Sequence, residues 1–147
     1  MRFVIATHKE QLAEWARVRV PGVESFGGAY QALGLVDAER IWAAVIYTDY
    51  SRFNICMHVA AEGRQWMTKG FLFAVFDYPF NQLQVDRVTA FVASKNLRSR
   101  RFVEHIGFTR EGALREAHHG DDLIAYGMLR RECRWIEHGK AIRARCA

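Results

Sequence analysis

The sequence predicts an α/β protein built on a mixed sheet of about seven strands with helices on both faces. Short apolar runs rich in β-branched and aromatic residues alternate with segments whose apolar residues have helical spacing. Three early runs are joined only by short polar turns, so we expect them to be antiparallel neighbours. Two later runs flank a strongly apolar helical segment, and such a crossover places its flanking strands parallel to each other.

Composition limits the class of protein. The 147 residues fit one domain, 1–147, with half of them apolar and a quarter charged. No apolar run approaches the ~20 residues that span a bilayer, and the N-terminus lacks the features of a signal peptide. Three distant cysteines form neither a disulfide framework nor a zinc pattern. We therefore expect a cytoplasmic protein without a metal ion or a membrane partner.

The net charge of +5 leaves several partners open. Nucleic acid, a polyanionic small molecule and a merely solvated basic surface are all compatible with it, and nucleic acid is the least favoured. Much of the positive charge lies in residues 98–101 and in the tail 130–145. We expect the tail to be solvated or frayed.

The N-terminal segment predicts a strand followed by a helix. Residues 2–6 form a short apolar strand. Thr7 and Glu10 form a T-x-x-E capping box, which predicts a helix that begins at His8 and ends near Arg19.

A glycine-rich connection follows this helix. Pro21 and Gly22 break the helix, and Gly27 and Gly28 prolong the irregular region. The connection carries Phe26, so it either lines a substrate cleft or is a plain surface loop.

Three apolar runs predict an antiparallel meander of strands at residues 30–36, 40–48 and 53–60. The second of these strands alternates only loosely, as a central strand would. His58 lies in the third strand. A lone strand histidine is usually packed and hydrogen-bonded, and the alternative is a general base at the sheet surface.

Residues 71–78 predict a strongly apolar helix that must stop or kink at Pro79. A strand that begins at Arg87 and ends at Ala93 follows. We expect this strand to be parallel to the third meander strand.

The next predicted helix begins at Asn96 and is stopped by Gly107. Phe102, Val103 and Ile106 have helical spacing within it. Its first turn presents free N–H groups and the positive end of the helix dipole, which suit an anionic or carbonyl-bearing ligand. The chain then predicts strands at 108–114 and 123–134, joined by a polar turn at 118–121.

Two short motifs stand out in the middle part of the sequence. Residues 96–108 read NxxSxxFxExxGF and resemble the N-x-x-[Ser/Ala]…Gly-Phe block of the GNAT superfamily of N-acetyltransferases. Residues 65–70 read QWMTKG and resemble its acyl-CoA pyrophosphate loop, [Arg/Gln]-x-x-Gly-x-[Gly/Ala], with Thr68 where the family usually has glycine. The element order agrees over nearly the whole chain.

Finer features are similar to one branch of that family. Three features match those of the branch that contains the ribosomal-protein N-terminal acetyltransferases: Ser99, REGxLR at 110–115 and DxxxYxML at 122–129. The ending at 120–135 resembles small members found in phages and prophages.

The resemblance implies direct transfer of an acetyl group from acetyl-CoA to an amine of a protein or a small molecule, by a monomer or a homodimer. It also implies that the two parallel strands separate at Phe53 and Arg87 and leave a slot for the pantetheine arm. Arg64, Lys69, Arg100 and Arg101 are candidate phosphate ligands, or else solvated surface cations. The implied cofactor-binding residues are His58, Ala60, Gln65, Trp66, Met67, Thr68, Lys69, Gly70, Asn96, Ser99, Arg101 and Phe102.

The catalytic roles follow from the same resemblance. Many members hold a tyrosine that protonates the thiolate, but Val103 stands at that position here. Ser99 is the substitute, or else its hydroxyl bonds the carbonyl four residues earlier or the cofactor arm. Tyr126 is a second candidate that could instead simply pack in the core. His58, then Glu24, then water are the candidate bases. The alternatives are a non-catalytic acyl-CoA-binding or host-interaction protein and a nucleic-acid-directed enzyme or binder.

Overall fold

A computed structural model describes residues 1–136 and contains one seven-stranded mixed sheet in the order β1-β2-β3-β4-β5-β7-β6. The predicted fold class is confirmed, with helices on both faces. The strands are β1 (Phe3–Ile5), β2 (Gln31–Val36), β3 (Ile41–Thr48), β4 (Asn54–Ala61), β5 (Arg87–Ala93), β6 (Thr109–His118) and β7 (Asp121–Leu129). The helices are α1 (Lys9–Arg17), α2 (Lys69–Asp77) and α3 (Leu97–Ile106), with a π-helical turn at Tyr78–Gln82 and a 3-10 turn at Arg130–Glu132.

The strand pairings agree with the predicted directions. The meander β2-β3-β4 is antiparallel, and β4 and β5 are parallel as the crossover through α2 requires. β7 lies between β5 and β6 and is antiparallel to both. No helix within residues 1–136 is long and apolar enough to cross a bilayer.

Each face of the sheet buries its own apolar cluster. On one face α1 places Leu12 and Ala16 on small residues of the sheet, which let the helix approach the strands closely. On the other face the apolar sides of α2 and α3 share one large core with the strands. Phe76 and Ile106 are each at most 1% exposed there, so both helices are held by burial of apolar surface.

The predicted capping box at Thr7 is wrong. The N-cap of α1 is His8, whose backbone is left-handed with φ 58° and whose side chain makes no cap hydrogen bond. The Thr7 hydroxyl instead lies 3.1 Å from His8 Nδ1. Glu10 still occupies the first turn, where its negative charge favours the helix dipole.

Pro79 ends α2 as predicted. The α-helix stops at Asp77, and the π-helical turn takes up the proline, which has no N–H to donate. The buried Asp77 carboxylate accepts hydrogen bonds from Asn81 Nδ2 and Gln82 Nε2, both at 2.9 Å. These two bonds hold the turn beneath the sheet.

The predicted boundaries of the last two strands are wrong. β6 continues to His118, whereas β7 ends at Leu129 and the chain turns into a 3-10 segment. Glu132 Oε1 accepts a hydrogen bond from the Leu129 amide at 2.8 Å, and this local bond ends the strand. Residues 137–147, with most of the basic tail and Cys146, lie outside the described residues.

We predict that Gly34→Ala destabilises the protein. A Cβ at Gly34 would lie 2.5 Å from Cδ2 of Leu12, a side chain only 1% exposed. Such overpacking lowers the free energy of unfolding by about 1–3 kcal/mol, which urea denaturation would measure. Gly112→Ala is the matched control, because nothing lies within 4 Å of the added Cβ. Equal midpoints for the two variants would contradict the close packing of α1 on β2.

Candidate functional site

The parallel strands β4 and β5 pair over only a short length. Their register joins Asn54–Cys56 to Arg87–Thr89, and no further pair follows. The predicted separation at Phe53 and Arg87 is therefore wrong, because the strands diverge only after Cys56 and Thr89. Beyond that point β3 and β7 occupy the outer edges of the two strands. The facing edges form a split whose backbone N–H and C=O groups no other strand of residues 1–136 pairs.

The loop after β4 contributes fewer ligands than its sequence predicts. Trp66 is only 6% exposed, its Nε1 donates to the Gly63 carbonyl at 3.0 Å, and its ring packs against Phe71 and Phe102. The Met67 and Thr68 amides donate to turn carbonyls within the loop. The Trp66 side chain therefore packs in the core, although the sequence predicted that it binds the cofactor.

Thr68 has a structural reason to stand where glycine is usual. Its hydroxyl accepts a hydrogen bond from the Phe71 amide at 3.2 Å and so caps α2. Its φ of −89° is one that any residue adopts. The amides of Lys69 and Gly70, in the open first turn, donate to no other residue of 1–136. This pair of donors and the helix dipole form an anion-binding end.

The start of α3 lies at the same end of the sheet, because it follows the C-terminal end of β5. Asn96 Oδ1 accepts a hydrogen bond from the Ser99 amide at 3.2 Å, and Gly107 ends the helix with φ 116°. Both features agree with the predictions. The Ser99 hydroxyl is half-buried and has no hydrogen-bond partner within residues 1–136, so it remains available to a ligand.

Tyr126 has a core position. It is fully buried, its hydroxyl accepts from Arg100 Nε at 3.1 Å, and it donates to Glu104 Oε1 at 3.3 Å. Arg100 also donates to the Ser94 carbonyl at 3.0 Å, and its hydrogen bond to Tyr126 raises the pKa of the guanidinium. Through these contacts Arg100 attaches α3 to the sheet. A guanidinium held in this way is poorly placed to bind a phosphate. Arg64, Lys69 and Arg101 are exposed.

His58 lies in a short hydrogen-bonded chain. The Thr48 hydroxyl donates to Asp49 Oδ2 at 2.9 Å and lies 3.0 Å from His58 Nε2. A hydroxyl carries a single proton, so at His58 it must accept, and Nε2 must carry the imidazole proton. Nδ1 is then the unprotonated nitrogen. Burial lowers the pKa of His58, with Asp49 acting in the opposite direction, so the neutral form predominates at neutral pH.

A cavity of about 1140 Å³ opens beside His58, where β3 ends and β4 begins. The connection between α1 and β2 forms one wall and includes Glu24 and Phe26, whose ring centroid is 5.3 Å from that of His58. The hypothesis that this connection lines a cleft is supported over that of a plain surface loop. Asp49 and Tyr50, also in the wall, were not predicted as site residues. The only sequence signal was a polar turn after a central strand.

The anion-binding end and the cavity lie toward opposite ends of β4. The first turn of α2 follows the C-terminal end of β4, whereas the cavity reaches the N-terminal part at Ile55. His58 is near the middle of the strand, and Ala60 is buried two residues nearer the anion-binding end. A ligand lying along the split would therefore reach from one feature to the other. Within residues 1–136, no group of three or more His, Cys, Asp or Glu side chains could hold a metal ion.

Comparisons with known proteins agree with this architecture. The family model described as "Acetyltransferase (GNAT) domain" matches residues 34–109, just over half of the chain. Mutant forms of the spermidine/spermine N-acetyltransferase SpeG from Vibrio cholerae superimpose with a TM-score of 0.71 at 16% identity, over 89% of this chain and 96% of theirs.

Two further solved structures are also similar to this chain. A chimera of Vibrio cholerae SpeG and hSSAT gives a TM-score of 0.71 at 15% identity, over 92% of this chain and 98% of that one. A probable acetyltransferase gives 0.57 at 25% identity, over 70% and 63%. No curated protein sequence matches significantly. On the family match and the shared fold, the chain belongs to the GNAT family of acetyltransferases.

Proposed function

We propose that this protein transfers an acetyl group from acetyl-CoA directly to an amine of a small molecule or a protein. Proteins of its family use acetyl-CoA as co-substrate. The observation that carries the proposal is the split between β4 and β5. It has free helix amides at one end and a half-buried, neutral histidine beside a cavity at the other.

The residues at the split suit the successive parts of acetyl-CoA. The Lys69 and Gly70 amides and the dipole of α2 would hold the pyrophosphate, and the exposed Lys69, Arg64 and Arg101 side chains would add positive charge. The open strand edges would pair with the amides of the pantetheine arm. Asn96 would contribute by shaping the start of α3, since its side-chain oxygen already caps that helix.

The proposed mechanism uses His58 and Ser99. The amine nitrogen attacks the thioester carbonyl carbon, the N–C bond forms, and the amine proton passes to His58 Nδ1. An N–H of β4 near residues 58–60 would stabilise the carbonyl oxygen. The C–S bond then breaks, and the Ser99 hydroxyl would pass a proton to the departing thiolate while taking one up from a solvent water, and His58 would release its proton to solvent. Tyr126 is less suited to that role, because its buried hydroxyl already contacts Arg100 and Glu104.

A second candidate is a non-catalytic acyl-CoA-binding protein on the same fold. It is motivated by Val103, a buried apolar residue at the position where many members of the family hold the tyrosine that protonates the thiolate. The two candidates differ in one measurement. A transferase releases free CoA thiol when an amine is supplied, whereas a binding protein is stabilised by acetyl-CoA but releases none. Because the sequence is similar to the ribosomal-protein branch and to phage members, the amines supplied in this measurement should include protein N-termini.

We predict that Gly70→Glu weakens acetyl-CoA binding by at least about tenfold, because a carboxylate at this position repels the pyrophosphate. Calorimetry would measure the dissociation constant. The helix itself should not suffer, since a negative charge in its first turn favours the dipole. Gly70→Ala is the control for size, because nothing lies within 4 Å of the added Cβ. Equal affinities of the wild type and Gly70→Glu would contradict the proposed pyrophosphate site.

We predict that Ser99→Ala lowers kcat by about 10²-fold, near the lower end of what a positioned proton donor contributes. The dissociation constant of acetyl-CoA should stay close to the wild-type value, because the Ser99 amide keeps its bond to Asn96. Stopped-flow thiol detection and calorimetry would measure the two quantities. A variant with full turnover and normal binding would remove Ser99 from the chemistry.

We predict an acid limb in the pH profile of kcat/KM that lies below pH 6.5, the ordinary pKa of histidine. His58 must be neutral to accept a proton, so the rate falls as pH falls through its lowered pKa. His58→Gln should abolish this limb and cost about 10²-fold in rate.

Thr48→Val tests how His58 is oriented. It should keep the acid limb but lower kcat/KM by about fivefold, because the hydrogen bond that selects the His58 tautomer contributes on the order of 1 kcal/mol. Thermal melting checks that the variant remains folded. A Thr48→Val enzyme with the wild-type rate would contradict the assigned tautomer.

A further inference from the structure

We propose that the acceptor is a primary amine that carries a single positive charge on an aromatic body. This inference rests on the proposed acetyl transfer and adds the chemical class of its second substrate. It is carried by the lining of the cavity beside His58, where the attacking amine would have to lie.

Five Phe and Tyr side chains of residues 1–136 line the cavity. Tyr47 is buried and meets the Tyr78 ring edge-on, with centroids 5.0 Å apart, so it holds that ring in place. Tyr50 is 57% exposed at the mouth, and the hydroxyls of Tyr50 and Tyr78 have no side-chain partner within residues 1–136. Such rings offer edge and face contacts to an aryl group and attract an ammonium over their faces. The aromatic lining residues are Phe26, Tyr30, Tyr47, Tyr50 and Tyr78.

The charges of the lining suit one ammonium rather than several. The described lining has two carboxylates, Glu24 and Asp49, and one ammonium, Lys9. The Lys9 Nζ donates to the Tyr30 carbonyl at 3.3 Å and lies 4.9 Å from the centroid of the same ring. Asp49, hydrogen-bonded to Thr48 beside His58, is the carboxylate nearest the proposed base in the hydrogen-bonded chain. Once Asp49 has matched the first ammonium, a polyamine would bring further cations beside Lys9 with only Glu24 of the described lining left to match them, and an unmatched charge is costly on burial.

The volume of about 1140 Å³ is at or above the upper end of ordinary small-molecule sites, which span roughly 300–1,000 Å³. An aryl-alkyl amine therefore fits with room to spare. The amino end of a peptide with an aromatic first residue has the same chemistry. Tyramine and phenylalanine amide represent these two sources.

Calorimetry on the protein saturated with CoA tests the amine class. We expect tyramine or phenylalanine amide to bind at least tenfold more tightly than n-butylamine and spermidine. The tighter of the two aromatic amines identifies the source as a free amine or a chain terminus. Tighter binding of spermidine than of both aromatic amines would overturn the proposal.

Tyr50→Ala tests the aromatic wall, and Phe53→Ala is its control. Phe53 is a neighbouring aromatic residue of similar exposure, 60%, that does not line the cavity. We expect Tyr50→Ala to weaken the preferred aromatic amine about fivefold, because it removes a contact between rings, and to leave n-butylamine unchanged, while Phe53→Ala changes neither. Equal binding by the two variants would contradict the proposal.

Thiol release from acetyl-CoA, measured with the same amines, separates this inference from the proposed function. Aromatic amines that bind selectively but release no thiol would overturn acetyl transfer and uphold the binding class. Turnover that favours spermidine would uphold acetyl transfer and overturn the proposed class of acceptor.

Discussion

The short parallel pairing of β4 and β5 is the constraint on which the rest of the site depends. The two strands share three residue pairs and then diverge, so their backbone edges are left facing one another. Both strands remain rigid because β3 and β7 occupy their outer edges. The split is thus a feature of strand register, held open by a sheet that is fully paired on either side.

The helices turn this split into a site with two chemically different ends. α2 and α3 each follow the C-terminal end of a parallel strand, so both first turns lie at the same end of the split. There, free amides favour negative charge. Toward the other end, burial keeps His58 neutral, and Thr48 and Asp49 set its tautomer. The groups that we propose for anion binding and for proton transfer are therefore separated along one strand.

Local sequence signals predicted the helices and strands around the site well. They were less reliable about which side chains bind each other. Asn96 caps α3, Gly107 ends it, and Pro79 ends α2, because each effect acts within a few residues of chain. The capping box at Thr7 was wrong because His8 takes a left-handed backbone there. The positive charge of Arg100 left a phosphate ligand and a solvated surface cation as alternatives, yet Tyr126, distant in sequence, binds its guanidinium.

The sequence by itself determined the order of strands and helices, the family motifs and the polar residues that begin α2 and α3. These features depend on hydrophobic spacing and on hydrogen bonds between near neighbours, which the chain encodes locally. Only the tertiary structure decided where β4 and β5 part, which of the polar residues remain free, and that Asp49 and Tyr50 share a cavity with His58. Those relations follow from strand register and helix packing, which bring together residues whose spacing along the chain carries no such signal.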